Sequence, residues 1–292
     1  MKFHGIIPPV VTPMRANEDL DLPRLRSTLD RQLAAGVHGL FVLGTTGEFY
    51  ALAEDEKRAV VAEAVAHVRQ RVPLIAGTGA ETTREAVRLS QMAEREGADA
   101  VAVITPYFVH PTQQEIFDHF RRVAEHTALP ILLYTNPVPC GGVRLEVDTV
   151  ARLAEVPNIV GMKDSFGDLT TLVEYVRAAP PPFAIFQGRD TLIEPALAYG
   201  AAGAVPGTGN IFPEMAVAIY EAHRRGDHAA ARAAQARFSP LRLTLAVGTA
   251  PGAIKAAMNL LGVEVGPSRA PIAPLNTVQR QTIQAMLDQL RG

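Results

Sequence analysis

Short apolar runs alternate with longer amphipathic segments along roughly the first 210 residues of the chain. About eight of the runs are rich in β-branched residues and predict buried strands. They span residues 5–11, 39–43, 73–76, 100–104, 131–134, 159–162, 184–186 and 203–205. This alternation is typical of repeated βα units around a parallel sheet.

The segments between the runs have the period of amphipathic helices. The clearest of them predict helices at residues 24–35, 55–71, 83–96, 113–126 and 169–178. Two begin with a capping box, Thr82-x-x-Glu85 and Thr112-x-x-Glu115, in which a hydroxyl and a carboxylate each satisfy a backbone donor. Eight strands at a spacing of roughly 25 to 30 residues favour a (β/α)8 TIM barrel over an open sheet.

The last part of the chain has no strand pattern and is rich in Ala, Leu and Arg. It predicts helices at residues 213–225, 227–247, 251–261 and 275–289. We therefore predict a (β/α)8 barrel over residues 1–210 and C-terminal helices over residues 211–292 that pack on it. No Gly/Ser-rich or Pro-rich linker marks an independent second domain.

Composition narrows the class of protein. The chain has 292 residues, of which 48% are hydrophobic and 20% charged, as expected for a soluble globular protein. With a formal net charge of -2, the chain lacks the excess of basic residues that would indicate binding to nucleic acid or to an anionic membrane. No apolar stretch reaches the length of a membrane span, and prolines interrupt the N-terminal segment where a signal peptide would need an apolar core. We expect no nucleic-acid or membrane partner.

The single cysteine, Cys140, cannot form an internal disulfide, and no Cys/His cluster has the spacing of a zinc site. A reducing compartment suits such a chain best, because cytosolic thiols stay reduced. The sequence therefore predicts a cytoplasmic protein.

Lys163 is one of four lysines and ends the apolar run 158–162. Burial disfavours the charged form of a lysine amine and can lower its pKa by up to ~3 to 5 units, which frees the lone pair to attack a ketone. The chain otherwise prefers arginine, which stays protonated and cannot form an imine. The simpler alternative is a strand whose last residue leaves the core and points a lysine into water.

In a (β/α)8 barrel the chemistry lies at the carboxyl ends of the strands. The segments that follow five predicted strands are polar or small: Gly44-Thr45-Thr46-Gly47-Glu48, Tyr134-Thr135-Asn136-Pro137, Lys163-Asp164-Ser165, Gly188-Arg189-Asp190 and Pro206-Gly207-Thr208-Gly209. Two hydroxyls and backbone donors between glycines can hold a carboxylate or phosphate oxygen, and a phenol beside a lysine can transfer a proton. A tight turn and an ordinary strand aromatic are the simpler interpretations of these two features.

Five segments resemble, in order and spacing, the dihydrodipicolinate synthase/N-acetylneuraminate lyase family. They are Gly44-Thr45-Thr46-Gly47-Glu48, Thr105-Pro106-Tyr107, Tyr134-Thr135-Asn136-Pro137, Gly161-Met162-Lys163-Asp164 and Gly188-Arg189-Asp190. The resemblance runs from about Gly5 to the C-terminal helices. It implies a class I aldolase-type lyase that forms a Schiff base with pyruvate, or with a 2-oxo acid that has a pyruvate end.

The resemblance also implies a role for individual residues. Lys163 would be the imine-forming nucleophile and Tyr134 the proton shuttle, with Thr46 assisting the catalysis. Thr45 and Thr46 would bind the carboxylate of the pyruvate unit, and the carbonyl of Val205 would line the pocket. Neither a metal nor an organic cofactor is expected, because a protonated imine is itself an electron sink. Members of the family suggest a homotetramer, a pair of dimers.

Two departures from the family pattern bear on the substrate. Members that make dihydrodipicolinate usually have a relay tyrosine where this chain has Phe108, and a phenyl ring cannot pass a proton. They also have an arginine at what aligns as residues 138–140, where this chain has none to pair with a carboxylate. The sialic acid lyase pattern fits in part, but Thr191 stands where an acidic residue is expected.

The subgroups that tolerate these departures are aldolases and dehydratases of 2-oxo-3-deoxy sugar acids and 4-hydroxy-2-oxo acids, which we prefer. The predicted contacts to the substrate tail are Ser165, Gly188, Arg189, Asp190, Thr208 and Asn210. Asp190 and Thr208 would hydrogen-bond hydroxyls, and Arg189 would meet a distal carboxylate unless it is a solvated loop charge. The alternatives are a dihydrodipicolinate (4-hydroxy-tetrahydrodipicolinate) synthase and a non-catalytic pyruvate-binding regulatory protein. His110 and Lys255 are expected to be structural or exposed residues.

Overall fold

The computed structural model of the chain describes residues 3–179 and 181–291, and in this part eight parallel strands form one sheet. The strands are β1 (Gly5–Ile6), β2 (Leu40–Val42), β3 (Leu74–Gly77), β4 (Ala100–Ile104), β5 (Ile131–Thr135), β6 (Ile159–Asp164), β7 (Ala184–Gln187) and β8 (Gly203–Ala204). Their order across the sheet is β1-β8-β7-β6-β5-β4-β3-β2. All eight predicted strands are therefore present.

The two outer strands of that order meet each other just beyond β1. The backbone N–H of Phe41 donates to the carbonyl of Pro8 at 3.1 Å, and the N–H of Val10 donates to the carbonyl of Phe41 at 2.8 Å. The sheet therefore closes on itself, and the protein has a TIM-barrel-like α/β fold. The regular part of β1 is shorter than the predicted 5–11, because Pro8 and Pro9 have no N–H to donate.

Eight helices follow the strands in alternation. They are α1 (Leu22–Ala34), α2 (Glu54–Val68), α3 (Thr83–Arg95), α4 (Gln113–Ala124), α5 (Val147–Leu153), α6 (Leu169–Ala178), α7 (Ile193–Ala198) and α8 (Pro213–Arg224). The sequence pattern missed α5 and α7, which at 7 and 6 residues are too short to show a helical period. Helix α8 packs against α7 and β1.

Four further helices complete the described part of the chain. They are α9 (His228–Phe238), α10 (Thr244–Val247), α11 (Gly252–Leu260) and α12 (Thr277–Arg291). Throughout residues 3–179 and 181–291, every helix is too short or too polar to cross a lipid bilayer. The predicted division at residue 210 between a barrel and appended helices stays a prediction.

The single helix predicted over residues 227–247 is wrong. Helix α9 ends at Phe238, a 3-10 helix spans Ser239–Leu243, and α10 follows it. Pro240 lies in the break, where it lacks the N–H that an α-helix needs and its ring disfavours the α-helical path. The break matters for the site, because Arg242 lies within the 3-10 helix.

The two predicted capping boxes differ in the structure. At the start of α4, the Thr112 hydroxyl accepts from the N–H of Glu115 at 3.3 Å, and the Glu115 carboxylate accepts from the N–H of Thr112 at 2.7 Å. At the start of α3, Thr82 accepts from the N–H of Glu85 at 3.3 Å. The carboxylate of Glu85 instead binds Arg88, so this second box is only half formed.

The alternation of side chains along the strands sends the future site residues into the barrel. On β5, Leu132 belongs to the apolar cluster inside the barrel, together with Phe41 and Phe186. Tyr134 is two residues beyond Leu132 and therefore faces inward again. Lys163 pairs with Tyr134 in the register of β5 and β6, so it shares that inward face.

A buried ion pair joins the C-terminal region to the loop after β2. Glu48 and Lys255 are both almost fully buried, and the Lys255 Nζ lies 2.5 Å from Glu48 Oε1. The same ammonium donates to the carbonyl of Pro267 at 2.8 Å, and Glu48 Oε2 accepts from the N–H of Arg269 at 3.0 Å. Helix α11 and the segment after it therefore hold the loop that contains Thr45 and Thr46 in place.

Replacing Lys255 with methionine is expected to lower the free energy of unfolding by about 3–5 kcal/mol, because the buried carboxylate of Glu48 loses its partner. The double variant Glu48→Gln/Lys255→Met should recover most of that loss. Urea denaturation followed by circular dichroism measures both. Lys57→Met is the matched control, because Lys57 forms no salt bridge in the described part of the chain and should change stability little. A loss in the Lys255 variant no larger than in this control would contradict the assigned role.

Candidate active site

A cavity of about 310 Å³ opens at the carboxyl ends of the strands. Its lining includes eight of the eleven residues that the sequence placed in the catalytic and substrate-binding set: Thr45, Thr46, Tyr134, Lys163, Ser165, Gly188, Arg189 and Val205. These residues come from β2, β5, β6, β7 and β8 or the loops after them. The barrel thus brings five separate segments of the chain to one concave surface.

Lys163 is buried within the barrel. Its side chain is only 6% exposed, and its Nζ lies 4.1 Å from the centre of the Tyr134 ring and 5.2 Å from that of Phe41. No acidic side chain in the described residues forms a salt bridge with it. The interpretation of Lys163 as a surface charge at a strand end is therefore wrong. A primary amine at the cavity wall, next to aromatic rings, suits nucleophilic attack on a carbonyl.

The phenol of Tyr134 lies in a small hydrogen-bond network. Its oxygen lies 3.2 Å from Thr45 Oγ1 and accepts from Asn136 Nδ2 at 3.1 Å. Burial raises the pKa of Tyr134, but the charge of Lys163 and the hydrogen bonds from Thr45, Asn136 and Lys163 together bring that pKa below its ordinary value. The hydroxyl can therefore give up and regain a proton more easily than a phenol in water.

The loop after β2 is a tight turn. The N–H of Gly47 donates to the carbonyl of Gly44 at 2.9 Å, and Thr12 Oγ1 donates to the carbonyl of Gly47 at 2.6 Å. On the neighbouring strand, a Cβ at Gly77 would lie 2.0 Å from the carbonyl oxygen of Leu43, so glycine lets the two strand ends approach. The turn leaves the hydroxyls of Thr45 and Thr46 half-buried at the cavity wall.

Strands β6 and β7 approach each other closely at the cavity. The N–H of Gly188 donates to the carbonyl of Asp164 at 2.6 Å, and a Cβ at Gly188 would lie 2.0 Å from Ser165 Oγ. A side chain at this position would therefore displace Ser165 from the wall. The next residue, Arg189, donates from its guanidinium to the carbonyl of Phe166 at 3.1 Å and is half-buried. The structure thus places Arg189 on the cavity wall, held by the backbone.

Three predicted substrate contacts lie behind the wall. Asp190 and Thr208 are fully buried, and Thr208 donates to Asp190 Oδ1 through its N–H at 2.8 Å and its hydroxyl at 2.7 Å. The other oxygen of Asp190 accepts from Arg242 Nη1 at 2.9 Å. Asn210 is also buried, and its side-chain oxygen accepts from the N–H of Val11 at 3.1 Å. The hydrogen-bonding groups of these side chains are therefore engaged within the protein, which the sequence pattern could not show.

Arg242 is a cavity residue that the sequence analysis missed. It lines the cavity from the 3-10 helix Ser239–Leu243, its side chain is 33% exposed, and the buried carboxylate of Asp190 fixes it. Burial lowers the pKa of Arg189, and the neighbouring positive charge of Arg242 lowers it further. Arg242 does not come directly after a predicted strand, so no local sequence pattern marks it as a cavity residue. Two guanidinium groups on one wall favour an anionic part of the substrate there.

Asp164 adjoins Lys163 on β6 and is fully buried. Its Oδ1 accepts from the N–H of Phe166 at 2.9 Å, whereas its Oδ2 has no hydrogen-bond partner among the described residues. Burial raises the pKa of Asp164 to about 6, although the hydrogen bond from Phe166 and the charge of Arg189 oppose the shift. The folded protein therefore holds the proton of this carboxyl over a range of pH in which the unfolded chain has lost it.

Because the folded pKa of Asp164 is raised, its favourable contribution to stability is complete below pH ~4 and is lost as the pH rises through 6. The variant Asp164→Asn lacks this titration. From pH 5 to pH 8, the free energy of unfolding of the wild type should fall by about 1–2 kcal/mol relative to that of the variant. Urea titrations of both proteins at the two pH values measure the difference. Parallel pH dependences would show that Asp164 is ionised in both states.

Comparisons with known proteins agree with the fold. The model of the Dihydrodipicolinate synthetase family matches residues 2–290. A 4-hydroxy-tetrahydrodipicolinate synthase of Methanopyrus kandleri is 38% identical over 291 residues, which are 99% of this chain and 97% of that protein. The match thus spans nearly the whole of both proteins.

Solved structures give the same result. YagE, a prophage protein belonging to the dihydrodipicolinic acid synthase family from E. coli K12, was crystallised in complex with pyruvate. It is 34% identical, with a TM-score of 0.96 over 100% of this chain and 99% of that one. A monomeric dihydrodipicolinate synthase variant is 31% identical, with a TM-score of 0.96 over 99% and 97% of the two chains. Sequence and structure comparisons therefore point to the same group of proteins.

Proposed function

The chain belongs to the dihydrodipicolinate synthetase family and is an enzyme of the class I, Schiff-base-forming lyase type; we propose that it acts through an imine of Lys163 with pyruvate or with the pyruvate end of a 2-oxo acid. The observation that carries the proposal is the buried amine of Lys163 at 4.1 Å from the Tyr134 ring, on the wall of the cavity. No other described lysine lines that cavity.

The chemistry requires only groups that are present on the cavity wall. The neutral amine of Lys163 adds to the 2-oxo carbon, and the resulting hydroxyl takes up a proton and leaves as water, which gives a protonated imine. In the cleavage direction, a base removes the proton of the 4-hydroxyl, the bond between C3 and C4 breaks, and its electron pair moves into the iminium to give an enamine. Protonation of the enamine at C3 and hydrolysis of the imine then release pyruvate and free the amine.

Tyr134 is the group that we assign to the proton transfers. Its lowered pKa and its contact with Thr45 Oγ1 at 3.2 Å support a relay in which the phenol accepts and returns the proton of the substrate hydroxyl. Thr45 and Thr46 are proposed to hold the carboxylate of the pyruvate unit, with the carbonyl of Val205 lining the same end of the cavity. An anchored carboxylate fixes the 2-oxo carbon next to the amine.

We propose 2-oxo-3-deoxy sugar acids and 4-hydroxy-2-oxo acids as substrates, which would be cleaved or dehydrated. Phe108 supports this choice, because it has no hydroxyl to complete a relay, and its side chain is 92% exposed outside the cavity. Ser165, Gly188 and Arg189 line the cavity. We propose that the tail of such an acid begins at Ser165 and Gly188 and that Arg189 meets a distal carboxylate. Asp190 and Thr208 would then stabilise the cavity wall through their hydrogen bonds to each other and would not contact the substrate.

A second candidate is the condensation of pyruvate with aspartate semialdehyde. One observation favours it: Arg242 lines the cavity and offers a guanidinium for the carboxylate of the semialdehyde, which residues 138–140 cannot offer. The relative from Methanopyrus kandleri, 38% identical, is a 4-hydroxy-tetrahydrodipicolinate synthase.

One set of assays separates the two candidate reactions. Borohydride reduction in the presence of pyruvate, followed by mass spectrometry, should place a covalent adduct on Lys163. A panel of 2-oxo-3-deoxy acids and 4-hydroxy-2-oxo acids should release pyruvate with at least one member. Turnover with pyruvate and aspartate semialdehyde alone would support the synthase, and an adduct without turnover of either set of substrates would contradict both candidate reactions. If no adduct forms, the imine mechanism is wrong.

We also propose that the protein is a cytoplasmic homotetramer built from two dimers. Phe108, Val109 and Val138 support a contact between protomers, because these apolar side chains are 92%, 51% and 79% exposed. A relative is a monomeric dihydrodipicolinate synthase variant, so the fold is compatible with more than one state. Sedimentation equilibrium measures the mass in solution, and a mass near 31.3 kDa would contradict the tetramer.

A further inference from the structure

Three helices outside the catalytic cavity bring together three side chains that commonly bind metals. Glu194 lies in the first turn of α7, His223 in the last turn of α8, and His228 is the first residue of α9. One possible ligand atom from each residue lies within 4.8 Å of the other two. None of the three residues lines the catalytic cavity, so this cluster is separate from the Lys163 site.

No hydrogen bond or salt bridge within the described residues involves the side chains of Glu194, His223 and His228. The two histidine rings contact each other. The centres of the His223 and His228 rings lie 5.2 Å apart. The Nδ1 atom of His223 is buried and lacks a hydrogen-bond partner within residues 3–179 and 181–291. An unpaired buried polar atom is costly, and few persist in native proteins. A bound cation would give that nitrogen a partner.

The cluster offers one carboxylate and two imidazole rings, and a neutral imidazole binds a transition metal through the lone pair of a ring nitrogen. Glu194 adds a negative charge that would partly compensate a divalent ion. The backbone N–H of Glu194 donates to Gln235 Oε1 at 3.0 Å, which fixes the start of α7.

We propose that Glu194, His223 and His228 form a binding site for a divalent transition-metal ion, zinc in the first place. Two imidazoles and one carboxylate suit zinc, which binds nitrogen and oxygen at ~2.0–2.2 Å in tetrahedral geometry. Calcium and magnesium are disfavoured, because they prefer oxygen ligands. One ligand atom of each residue already lies within 4.8 Å of the other two, and water would take the fourth position. The ion would tie α7 to the turn between α8 and α9.

Zinc titration of the full-length protein tests the site. Protein treated with EDTA and then freed of it is titrated with zinc chloride by isothermal calorimetry at pH 7.5. We expect one ion per chain with micromolar or tighter affinity. His228→Ala and Glu194→Gln should each weaken binding by at least ~10-fold, since each removes one of three ligands. His110→Ala is the matched control, because His110 is also exposed but lies outside the cluster.

Two further readouts keep the test independent of folding and of catalysis. Cobalt(II) in place of zinc should give the intense visible absorption of a tetrahedral site in the wild type and in His110→Ala, and little of it in His228→Ala. Zinc should raise the melting temperature in the same two proteins only, because a ligand of the folded state stabilises that state. The borohydride adduct on Lys163 should form equally in all variants. Absence of zinc binding, or equal binding in His228→Ala and the wild type, would overturn the proposal.

Discussion

Replacing Lys163 with alanine is expected to reduce pyruvate release by at least about 10⁴-fold, to the background rate. The loss follows from the mechanism, because no other amine lines the cavity of the described protein and no imine can form without one. The substitution also leaves the side chains of Tyr134 and Phe41 without the amine that lies near their rings. The fold should nevertheless survive, since Lys163 forms no salt bridge among the described residues.

The measurement pairs turnover with chemical trapping. The wild type and Lys57→Ala should both release pyruvate and both form a borohydride-stable adduct with it, whereas Lys163→Ala should do neither. Lys57 is the matched control, because it is a half-buried lysine on α2, away from the cavity. Far-ultraviolet circular dichroism and the melting temperature establish that Lys163→Ala is folded. Substantial activity in a folded Lys163→Ala protein would refute the imine mechanism.

Replacing Tyr134 with phenylalanine is expected to lower kcat by about 10²–10⁴-fold, the usual contribution of a positioned acid or base. The ring stays beneath the Lys163 amine, and only the hydroxyl is lost, together with its contacts to Thr45 and Asn136. Binding of the 2-oxo acid should therefore change less than the rate of turnover. This expectation distinguishes a proton relay from a purely structural tyrosine.

Separate values of kcat and KM, measured as a function of pH, check the role of Tyr134. The wild type should lose activity at alkaline pH as the phenol ionises, with an apparent pKa below the ordinary phenol value. That alkaline decline should be absent from Tyr134→Phe, although borohydride should still trap pyruvate on Lys163. Tyr199→Phe, which removes an exposed hydroxyl far from the cavity lining, should leave kcat unchanged. An unaltered kcat in Tyr134→Phe would rule out the relay.

Loss of turnover in both Lys163→Ala and Tyr134→Phe would place the chemistry at the contact between β5 and β6. Tyr134 and Lys163 are direct partners in the parallel register of β5 and β6. Lys163→Ala should lose both trapping and turnover, whereas Tyr134→Phe should lose turnover and keep trapping. This difference would separate imine formation from proton transfer. The proposed zinc site is independent of both results, since its ligands lie on α7, α8 and α9 outside the cavity.

Much of the catalytic cavity could be predicted from the sequence. Alternation along a strand fixes which residues face inward, and the carboxyl ends of parallel strands converge in a closed barrel. Tyr134 and Lys163 each end an apolar run, so these two rules are enough to bring them together. The Thr45-Thr46 turn follows the same rules, and the structure places both hydroxyls on the cavity wall.

Other parts of the site depend on contacts that the local pattern does not record. Asp190 has the appearance of a substrate contact, but the structure shows it buried and bound to Thr208 and to Arg242, which lies 52 residues further along the chain. Arg242 reaches the cavity because the chain leaves the α-helical path near Pro240. If residues 227–247 are taken as one helix, Arg242 is only one more polar side chain on its surface. That interpretation predicts neither the contact with Asp190 nor the position at the cavity.

The sequence by itself determined the eight strands, the helices long enough to show a period, and the amine and phenol at adjacent strand ends. These features depend on periodicity and on residue chemistry within a few positions of the chain, so a single sequence is enough to recognise them. Only the tertiary structure decided which polar groups face the cavity and which are satisfied inside the protein. Glu48 with Lys255, Asp190 with Arg242, and Glu194 with His223 and His228 are all assembled by packing between distant segments. The position of a hydrogen-bond or ion-pair partner in space is set by the whole fold, and therefore no local pattern could reveal it.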